Sequence, residues 1–283
     1  MVKTEYFKQT AKDIVRSCIP LAARKQLAVW VDHQEWLDQH RRSWWSQELV
    51  RDLASRDINE YHKFLWSRHL AYSAPYEVAL KFGHENMPQS RRMFFTDLQK
   101  HLAGRSLDPG LHIGSVFEVG CSLGYQLRYC ETDLFPAATI LEGSDIDGYA
   151  IRAGREYLRG QGSKVRLTCG DMEGLDAFLG DRRYDVTLCS GVLMYLEEDA
   201  AARVVNAMLR HTKVVVALTG LAFPERDNAL LDHSVPRNSD RSFIHNIDSM
   251  IEKAGGTVLA RRWEGGRLVD GHTIYFVFAG TGR

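Results

Sequence analysis

The sequence has neither a net charge nor a long apolar run, and each absence excludes a broad class of protein. Its 283 residues include 36 Lys and Arg against 36 Asp and Glu, so the whole chain offers no net field to attract nucleic acid or an anionic membrane. No stretch approaches the roughly 18 uninterrupted apolar residues that a membrane span requires. Hydrophobic residues make up 45% of the chain, which is enough for an ordinary core and excludes a disordered protein.

Cysteine is scarce, and its spacing indicates free thiols. The five cysteines include no C-x-x-C pair and no zinc-like spacing. The sequence therefore predicts neither a disulfide scaffold nor a metal site. The segment from Met1 to Lys12 carries charges throughout and lacks the apolar core of a secretory signal. We expect a cytoplasmic protein.

The charge balance hides two regions of different composition. Residues 1–105 carry 17 basic and 12 acidic side chains, which leaves 19 and 24 for residues 106–283. The first region holds five of the six tryptophans, and its apolar residues recur at helical spacing, as at Leu27, Trp30 and Leu37. The composition of residues 104–110 is typical of a linker. We predict a helical region over residues 1–105, which serves as a lid or shapes a substrate pocket and packs its tryptophans mainly in a core.

Residues 106–283 alternate between short β-rich runs and helical stretches, which predicts an α/β fold with a doubly wound, mostly parallel sheet. Five apolar runs are the predicted parallel strands: Val116–Val119, Thr139–Glu142, Val165–Cys169, Asp185–Cys189 and Val214–Leu218. Two later runs, Thr257–Arg261 and Thr273–Phe278, are separated by Gly-Gly and Asp-Gly turn signals at residues 265–266 and 270–271. These two runs are predicted to form an antiparallel pair that closes the sheet.

The strongest local signal is a glycine turn after the first strand. Residues 116–125 read VFEVGCSLGY, and the small residues Gly120 and Gly124 would let a ligand contact the backbone. At the carboxyl end of the first strand of a doubly wound sheet, such a turn and the following helix N-terminus face nucleotide-like ligands. Many α/β proteins need glycines there simply to turn, so this feature alone does not identify a ligand.

Polar residues at three further strand ends make the turn more informative. Asp145 lies about 20 residues beyond the turn, where a carboxylate can accept the hydroxyls of a ribose, whereas Asp147 is the expected N-cap of the next helix. Asp171 could accept from an adenine amine, and the thioether of Met172 could cover the ring. The loop that begins at Ser190 points into the same crevice. Because the carboxyl ends of parallel strands meet at one edge, we expect one cleft.

Residues 112–280 resemble the class I S-adenosylmethionine-dependent methyltransferases in this set of motifs. The resemblance implies seven strands with an antiparallel last strand, methyl-transfer activity and the cofactor S-adenosyl-L-methionine. It implies that the acid before the turn and the turn itself hold the methionine part of the cofactor. The implied cofactor-binding residues are Glu118, Gly120, Ser122, Gly124, Asp145, Ile146, Asp171, Met172 and Ser190. One position departs from the family's G-x-G-x-G pattern, because Ser122 replaces the middle glycine.

The acceptor and the catalytic residues are less clearly indicated. A base is needed where the acceptor is a hydroxyl or a protonated amine, and histidine is the usual choice. We expect His245 first and then His233 to act as base or substrate donor, because both follow the fifth strand, and Tyr195 to be a third contact. No Asn-Pro-Pro-Tyr, Asp-Pro-Pro-Tyr or Pro-Cys run follows the fourth strand, so DNA is not the expected acceptor. The expected acceptor is the oxygen or nitrogen of a small molecule such as a sugar or natural product.

Several alternatives stay open from the sequence. Residues 120–124 also spell G-x-S-x-G, the nucleophile elbow of α/β hydrolases, with Ser122 as nucleophile. A nicotinamide dehydrogenase is a weaker alternative, because Tyr125 stands where the third glycine of G-x-G-x-x-G belongs. A non-catalytic scaffold that binds an adenosyl ligand is another. The Arg41–Trp45 cluster could bind a membrane interface with a lipid-linked acceptor, or single-stranded RNA, and a homodimer is open.

Overall fold

The structure is a computed structural model that describes residues 18–71 and 87–281. Its contacts divide the chain into two compact units, Met1–Pro75 and Tyr76–Arg283. This division falls before the expected boundary between residues 105 and 106, because the helix Gln89–Gly104 packs within the second unit. The ring of Phe94 lies 5.3 Å from that of Phe276 and stacks on that of Phe278 at 5.6 Å, which fixes this helix on the last strand.

The described part of the first unit is helical, as its composition predicts. Its helices are α1 (Leu21–Asp32), α2 (Gln39–Leu49) and α3 (Ile58–Ser67). The side chain of Asp38 accepts the N–H of Arg41 and that of Asp57 accepts the N–H of Glu60, so carboxylates cap α2 and α3. Small and aliphatic residues with Tyr61 and Phe64 fill the core. The tryptophans were expected to pack mainly in a core, but four of them are 42–75% exposed: Trp30, Trp36, Trp44 and Trp45.

The second unit alternates strands and helices after α4 (Gln89–Gly104). Its elements are α5 (Pro109–His112), β1 (Ser115–Val119), α6 (Tyr125–Tyr129), β2 (Ile140–Asp145), α7 (Gly148–Gly160), β3 (Arg166–Cys169), α8 (Leu175–Leu179), β4 (Tyr184–Ser190), α9 (Glu198–Arg210), β5 (Thr212–Gly220), β6 (Val235–Pro236), β7 (Phe243–Ile244), α10 (Ile247–Lys253), β8 (Gly256–Val269) and β9 (His272–Thr281).

Seven of these strands form one sheet in the order β3-β2-β1-β4-β5-β9-β8. The pairs among β1 to β5 are parallel, and β9 runs antiparallel to both β5 and β8. The predicted fold class is therefore confirmed, including the antiparallel last strand. All five residues of β1 are buried, which is the pattern of a strand that helices cover on both faces.

The antiparallel pair differs in detail from the sequence prediction. The chain turns at Asp270 and Gly271, whereas Gly265 and Gly266 lie inside β8, where the pairing with β9 shifts register between Trp263 and Leu268. Gly265 has a φ of +58°, a conformation that glycine adopts without strain. The two glycines thus mark an irregularity within a long strand and not a second turn. A small separate sheet of β6 and β7 follows β5 in the chain.

Candidate cofactor-binding site

The carboxyl ends of four adjacent strands lie level with one another at one edge of the sheet. Val119 of β1 pairs with Ser144 of β2 and with Cys189 of β4, and Asp145 pairs with Cys169 of β3. The chain order reverses at β1, whose neighbours are β2 on one side and β4 on the other. In open α/β sheets this switch point is where ligands bind, so the predicted site residues are gathered at the edge that the topology favours.

The turn after β1 adopts left-handed backbone at every second residue. The φ angles are +72° at Gly120, +48° at Ser122 and +76° at Gly124. Side chains disfavour this conformation, so Ser122 adopts a backbone geometry that suits the glycine of the G-x-G-x-G pattern. The sequence departs from that pattern at this position, and the turn keeps its shape nonetheless.

The chain's own packing requires glycine at the two ends of this turn. A Cβ atom on Gly120 would lie 2.4 Å from Cγ2 of Val192, and one on Gly124 would lie 2.8 Å from a methyl carbon of Leu167. Helix α7 also approaches closely, since a Cβ on Gly154 would lie 2.6 Å from the carbonyl oxygen of Leu123. Gly120 and Gly124 are therefore explained by packing before any ligand is considered.

Asp145 links the end of β2 to the turn. One carboxylate oxygen accepts the N–H of Ser122 at 2.8 Å, and the other accepts the N–H of Asp147 at 2.9 Å. Burial raises the pKa of Asp145, while the hydrogen bonds from these two amides act in the opposite direction. A carboxylate has about four lone-pair positions, so this half-buried group can accept further hydrogen bonds, as ribose hydroxyls would require. Ile146, the next residue, is also half-buried.

Asp147 has the capping role expected from the sequence. Its carboxylate accepts the N–H groups of Tyr149 at 2.9 Å and of Ala150 at 3.1 Å, which caps α7. The two neighbouring acids therefore differ in environment: Asp147 is 1% exposed and turned to its own helix, whereas Asp145 faces the turn.

Glu118 is the most unusual polar group at this edge. The residue is completely buried, and its Oε1 accepts from the side-chain amide of Gln126 at 2.9 Å. Its Oε2 is buried without a hydrogen-bond partner among the described residues. Burial raises the pKa of Glu118 well above its ordinary value, the positive charge of Arg91 opposes that shift, and the negative charge of Asp145 adds to it.

The unpartnered oxygen provides a test of whether these residues fit the implied cofactor. A buried carboxyl oxygen without a partner costs stability and is suited to a ligand that brings an N–H donor. The amino group at the methionine end of S-adenosyl-L-methionine is such a donor. The residues present therefore fit this cofactor at Glu118 and at Asp145.

The remaining predicted cofactor residues lie at the same edge, each with a local partner. Asp171 accepts the N–H of Glu173 at 3.1 Å, and Met172 packs against the core cluster on one face of the sheet. The hydroxyl of Ser190 lies 3.2 Å from that of Thr219 on β5. Capping and core packing thus account for part of what Asp171 and Met172 do, although both stay half-buried at the carboxyl end of β3.

The three predicted catalytic residues differ in their burial and in their partners. His245 is 3% exposed, with Nδ1 2.7 Å from the hydroxyl of Ser234 and Nε2 3.0 Å from the carbonyl oxygen of Leu193. Burial lowers its pKa. The side chain of His233 is 88% exposed and lies 3.9 Å from a carboxylate oxygen of Glu198. Tyr195 is half-buried at the end of a short 3₁₀ turn after β4.

Sequence reasoning missed two residues of this site. Gln126 holds Glu118 from the first turn of α6, and Arg91 reaches the ends of β4 and β5 from the first turn of α4. Arg91 lies in the region that the composition assigns to the first unit. Its proximity to Glu118 depends on how α4 packs on the sheet, for which the local sequence carries no signal.

Comparison with known proteins agrees with the geometry. The sequence model of a family described as a methyltransferase domain matches residues 116–214, a segment that extends from β1 into β5. No protein of curated function matches the chain.

Several solved structures share the fold at low sequence identity. A 1,6-didemethyltoxoflavin-N1-methyltransferase from Burkholderia thailandensis is 14% identical, has a TM-score of 0.52, and is matched over 69% of this chain and 80% of that one. An S-adenosylmethionine-dependent methyltransferase from Clostridium acetobutylicum is 12% identical, has a TM-score of 0.51, and is matched over 74% of this chain and 96% of that one. The [4+2]-cyclase SpnF is 16% identical, has a TM-score of 0.50, and is matched over 65% of this chain and 80% of that one.

The order of the strands and the edge that they form define the second unit as a class I methyltransferase fold. The matched segment contains the glycine turn and the acidic residues at the ends of β2 and β3, so the methyltransferase domain coincides with the site. The chain therefore contains a methyltransferase domain, and its second unit shares the fold of S-adenosylmethionine-dependent methyltransferases. The hydrolase alternative, with Ser122 as nucleophile, is not favoured, because the same turn is part of this domain.

Proposed function

We propose that this methyltransferase transfers the methyl group of S-adenosyl-L-methionine to an oxygen or nitrogen atom of a small-molecule acceptor in the cytoplasm. The cofactor site is supported by the positions of Glu118, Asp145 and Asp171 at or next to the carboxyl ends of three adjacent strands. A small acceptor is supported by the Burkholderia thailandensis neighbour, which is described with bound 1,6-didemethyltoxoflavin and S-adenosylhomocysteine. No helix among the described residues is long and apolar enough to cross a membrane.

Each acidic residue has a separate role in this proposal. Oε2 of Glu118 accepts from the amino group of the methionine part, Asp145 accepts from the ribose hydroxyls, and Asp171 accepts from the adenine amine. Met172 covers the adenine ring. The bound cofactor supplies a methyl group activated by a sulfonium, whose transfer needs alignment and a dry surrounding.

Proton removal is assigned to His245, acting through Ser234. Nε2 faces the carbonyl oxygen of Leu193 at 3.0 Å, so Nε2 carries the proton and Nδ1 accepts from the hydroxyl of Ser234. An acceptor hydroxyl can then pass its proton to Oγ of Ser234 while the serine proton moves to Nδ1, which leaves an imidazolium. The lowered pKa of His245 keeps the ring neutral and able to accept at neutral pH.

Three further expectations from the sequence belong to this proposal. Tyr195 contributes a contact to the acceptor from the loop after β4, and the exposed His233 is the second choice as base. The first unit shapes access for the acceptor, as the amphipathic, tryptophan-rich sequence predicts.

The proposal is tested by ligand binding followed by product detection. We expect calorimetry to show binding of S-adenosylhomocysteine and not of NAD. Incubation with S-adenosyl-L-methionine and metabolite extracts should then give a compound one methyl group heavier, detected by mass spectrometry. The Asp145→Ala variant is the matched control and should give no such compound. If neither ligand binds, or if a serine-directed phosphonate labels Ser122, the proposed function is wrong.

A further inference from the structure

The side-chain amide of Asn228 is completely buried and uses all of its hydrogen-bonding capacity. Its Nδ2 donates to the carbonyl oxygen of Leu221 at 2.9 Å and to that of His245 at 2.8 Å. Its Oδ1 accepts the backbone N–H of Phe223 at 2.7 Å and the indole N–H of Trp263 at 3.1 Å. Because a primary amide has two donor hydrogens and two acceptor positions, every one of them is occupied.

These four hydrogen bonds join parts of the chain that no long element connects. Leu221 and Phe223 follow β5, whereas His245 follows β7, and Trp263 belongs to β8. From the end of β5 to the start of α10, the described chain contains only a 3₁₀ turn at Asn228–Leu230 and the two-residue strands β6 and β7. Since regular backbone hydrogen bonds hold so little of this segment, side-chain contacts fix its path.

Strand β8 supports Asn228 through two neighbouring contacts. Trp263 donates to Oδ1 of Asn228, and the preceding residue, Asp227, forms an ion pair with Arg261 of the same strand. Strand β8 is itself paired with β9 in the main sheet. The amide is therefore anchored on a rigid element, which is what precise positioning of another group requires.

The ring of His245 needs such positioning for the contacts that the proposed function gives it. Its Nδ1 lies 2.7 Å from the hydroxyl oxygen of Ser234, and its Nε2 lies 3.0 Å from the carbonyl oxygen of Leu193. Two hydrogen bonds made through different ring nitrogens tolerate a displacement of only about 0.5 Å. Asn228 donates to the carbonyl oxygen of His245 itself, so it acts on the position of the ring through the backbone.

We propose that Asn228 is a positioning residue that keeps His245 within hydrogen-bond reach of Ser234. The inference rests on the proposed function, in which these two side chains remove a proton from the acceptor. It requires an amide at position 228, because that group can serve two carbonyl oxygens and two N–H groups at once.

Exchange of the ring proton of His245 with water tests this role in the full chain without any substrate. The Nε2 proton is buried and hydrogen-bonded, so NMR of protein with isotope-labelled histidine should show slow exchange. The backbone amides of β1 report global unfolding in the same sample. Asn228→Ala should speed exchange of the ring proton by a factor about ten or more greater than it speeds exchange of those amides.

Asn246→Ala is the matched control. Asn246 also donates to two carbonyl oxygens of this segment, those of Ala229 at 3.1 Å and Leu231 at 2.9 Å. Its removal should therefore speed exchange of the ring proton of His245 and of the β1 amides by the same factor. Equal factors in Asn228→Ala as well would give Asn228 a structural role only and overturn the proposal.

Trp263→Phe decides the question if Asn228→Ala does not fold. It keeps an aromatic ring and removes one N–H group from Oδ1 of Asn228, and should speed exchange of the ring proton about threefold relative to the β1 amides. No such difference would overturn the proposal.

A kinetic readout separates this role from the proposed function. With an acceptor found in the extracts, Asn228→Ala should lower kcat and keep the affinity for S-adenosylhomocysteine within about twofold of wild type. An unchanged kcat would overturn the role of Asn228. Failure of wild type to methylate any compound would instead reject the proposed function, since exchange of the ring proton needs neither cofactor nor acceptor.

Discussion

The carboxylate of Asp145 accepts the backbone N–H of Ser122 at 2.8 Å, which fixes the end of β2 to the turn after β1. The bond holds a residue whose φ of +48° would otherwise be disfavoured. Asp145 is therefore both a support of the turn and a candidate ligand for ribose. Its neighbour Asp147 caps α7 instead, although the two acids are nearly adjacent in the sequence.

Replacing each of these acids by alanine should separate binding from stability. Asp147→Ala removes the cap of α7 and should lower the free energy of unfolding by about 1 kcal/mol, with little effect on affinity for S-adenosylhomocysteine. Asp145→Ala should weaken that affinity by about tenfold or more, because a charged acceptor for the ribose is lost. Thermal unfolding and calorimetry measure the two effects. Equal affinities for the two variants would contradict the assignment of Asp145.

Glu118→Gln should make the ligand-free protein more stable and a poorer cofactor binder. The variant keeps a side chain of the same size beside Gln126 and removes a buried acid with a raised pKa. We expect the free energy of unfolding at neutral pH to rise by about 1 kcal/mol, as when a strained functional group is removed. Affinity for S-adenosylhomocysteine should fall by about tenfold or more.

The pH dependence of the same variant gives an independent readout. Because the native carboxyl of Glu118 has a raised pKa, the native state keeps a proton that the unfolded state releases near pH 4.5. The contribution of Glu118 to stability is therefore full below that pH and is lost as the pH rises towards the native pKa. Denaturant unfolding at several pH values should show this loss in wild type and not in Glu118→Gln. Parallel curves would show that Glu118 is not the responsible group.

Gly120→Ala should destabilise the second unit through contact with Val192. The new Cβ would lie 2.4 Å from Cγ2 of Val192 at a φ of +72°, so overpacking and backbone strain together should cost about 2–4 kcal/mol. Adding Val192→Ala to Gly120→Ala removes the clash and should restore part of the stability, whereas the φ strain remains. Urea unfolding of both single variants and the double variant measures the coupling. If the changes in unfolding free energy of the two single variants simply add in the double variant, contact with Val192 is not the reason for glycine at position 120.

His245 should make the protein sensitive to acid. Its lowered native pKa means that the unfolded state binds a proton more readily, so its contribution to stability is full above about pH 6.5 and falls as the pH decreases through the native pKa. His245→Gln should flatten that part of the stability curve, measured by denaturant unfolding. The exposed His233→Ala serves as control and should keep the wild-type curve. An unchanged curve for His245→Gln would refute the inference.

The local sequence pattern was sufficient to predict the strands, the glycine turn and the cap of α7. A buried parallel strand is a run of apolar residues, and an N-cap is a short-range hydrogen bond, so both are determined within a few residues. Composition predicts a boundary after residue 105, whereas the two compact units divide between Pro75 and Tyr76. The two differ because residues 104–110 have a linker's composition and yet follow a helix that packs on β9. Phe94 is buried by contacts with Phe276 and Phe278, which lie far along the chain. Local composition does not encode such contacts.

The amino-acid sequence by itself determined the order of strands and helices and the acids at the strand ends, because these follow from periodicity and from residue chemistry. Tertiary structure alone decided which side chains meet. It buried Glu118 with one oxygen unpartnered, enclosed both ring nitrogens of His245, and brought Arg91 from a distant helix to the switch point. Such contacts join residues far apart in the chain, and their energies depend on packing and burial that exist only once the sheet has formed.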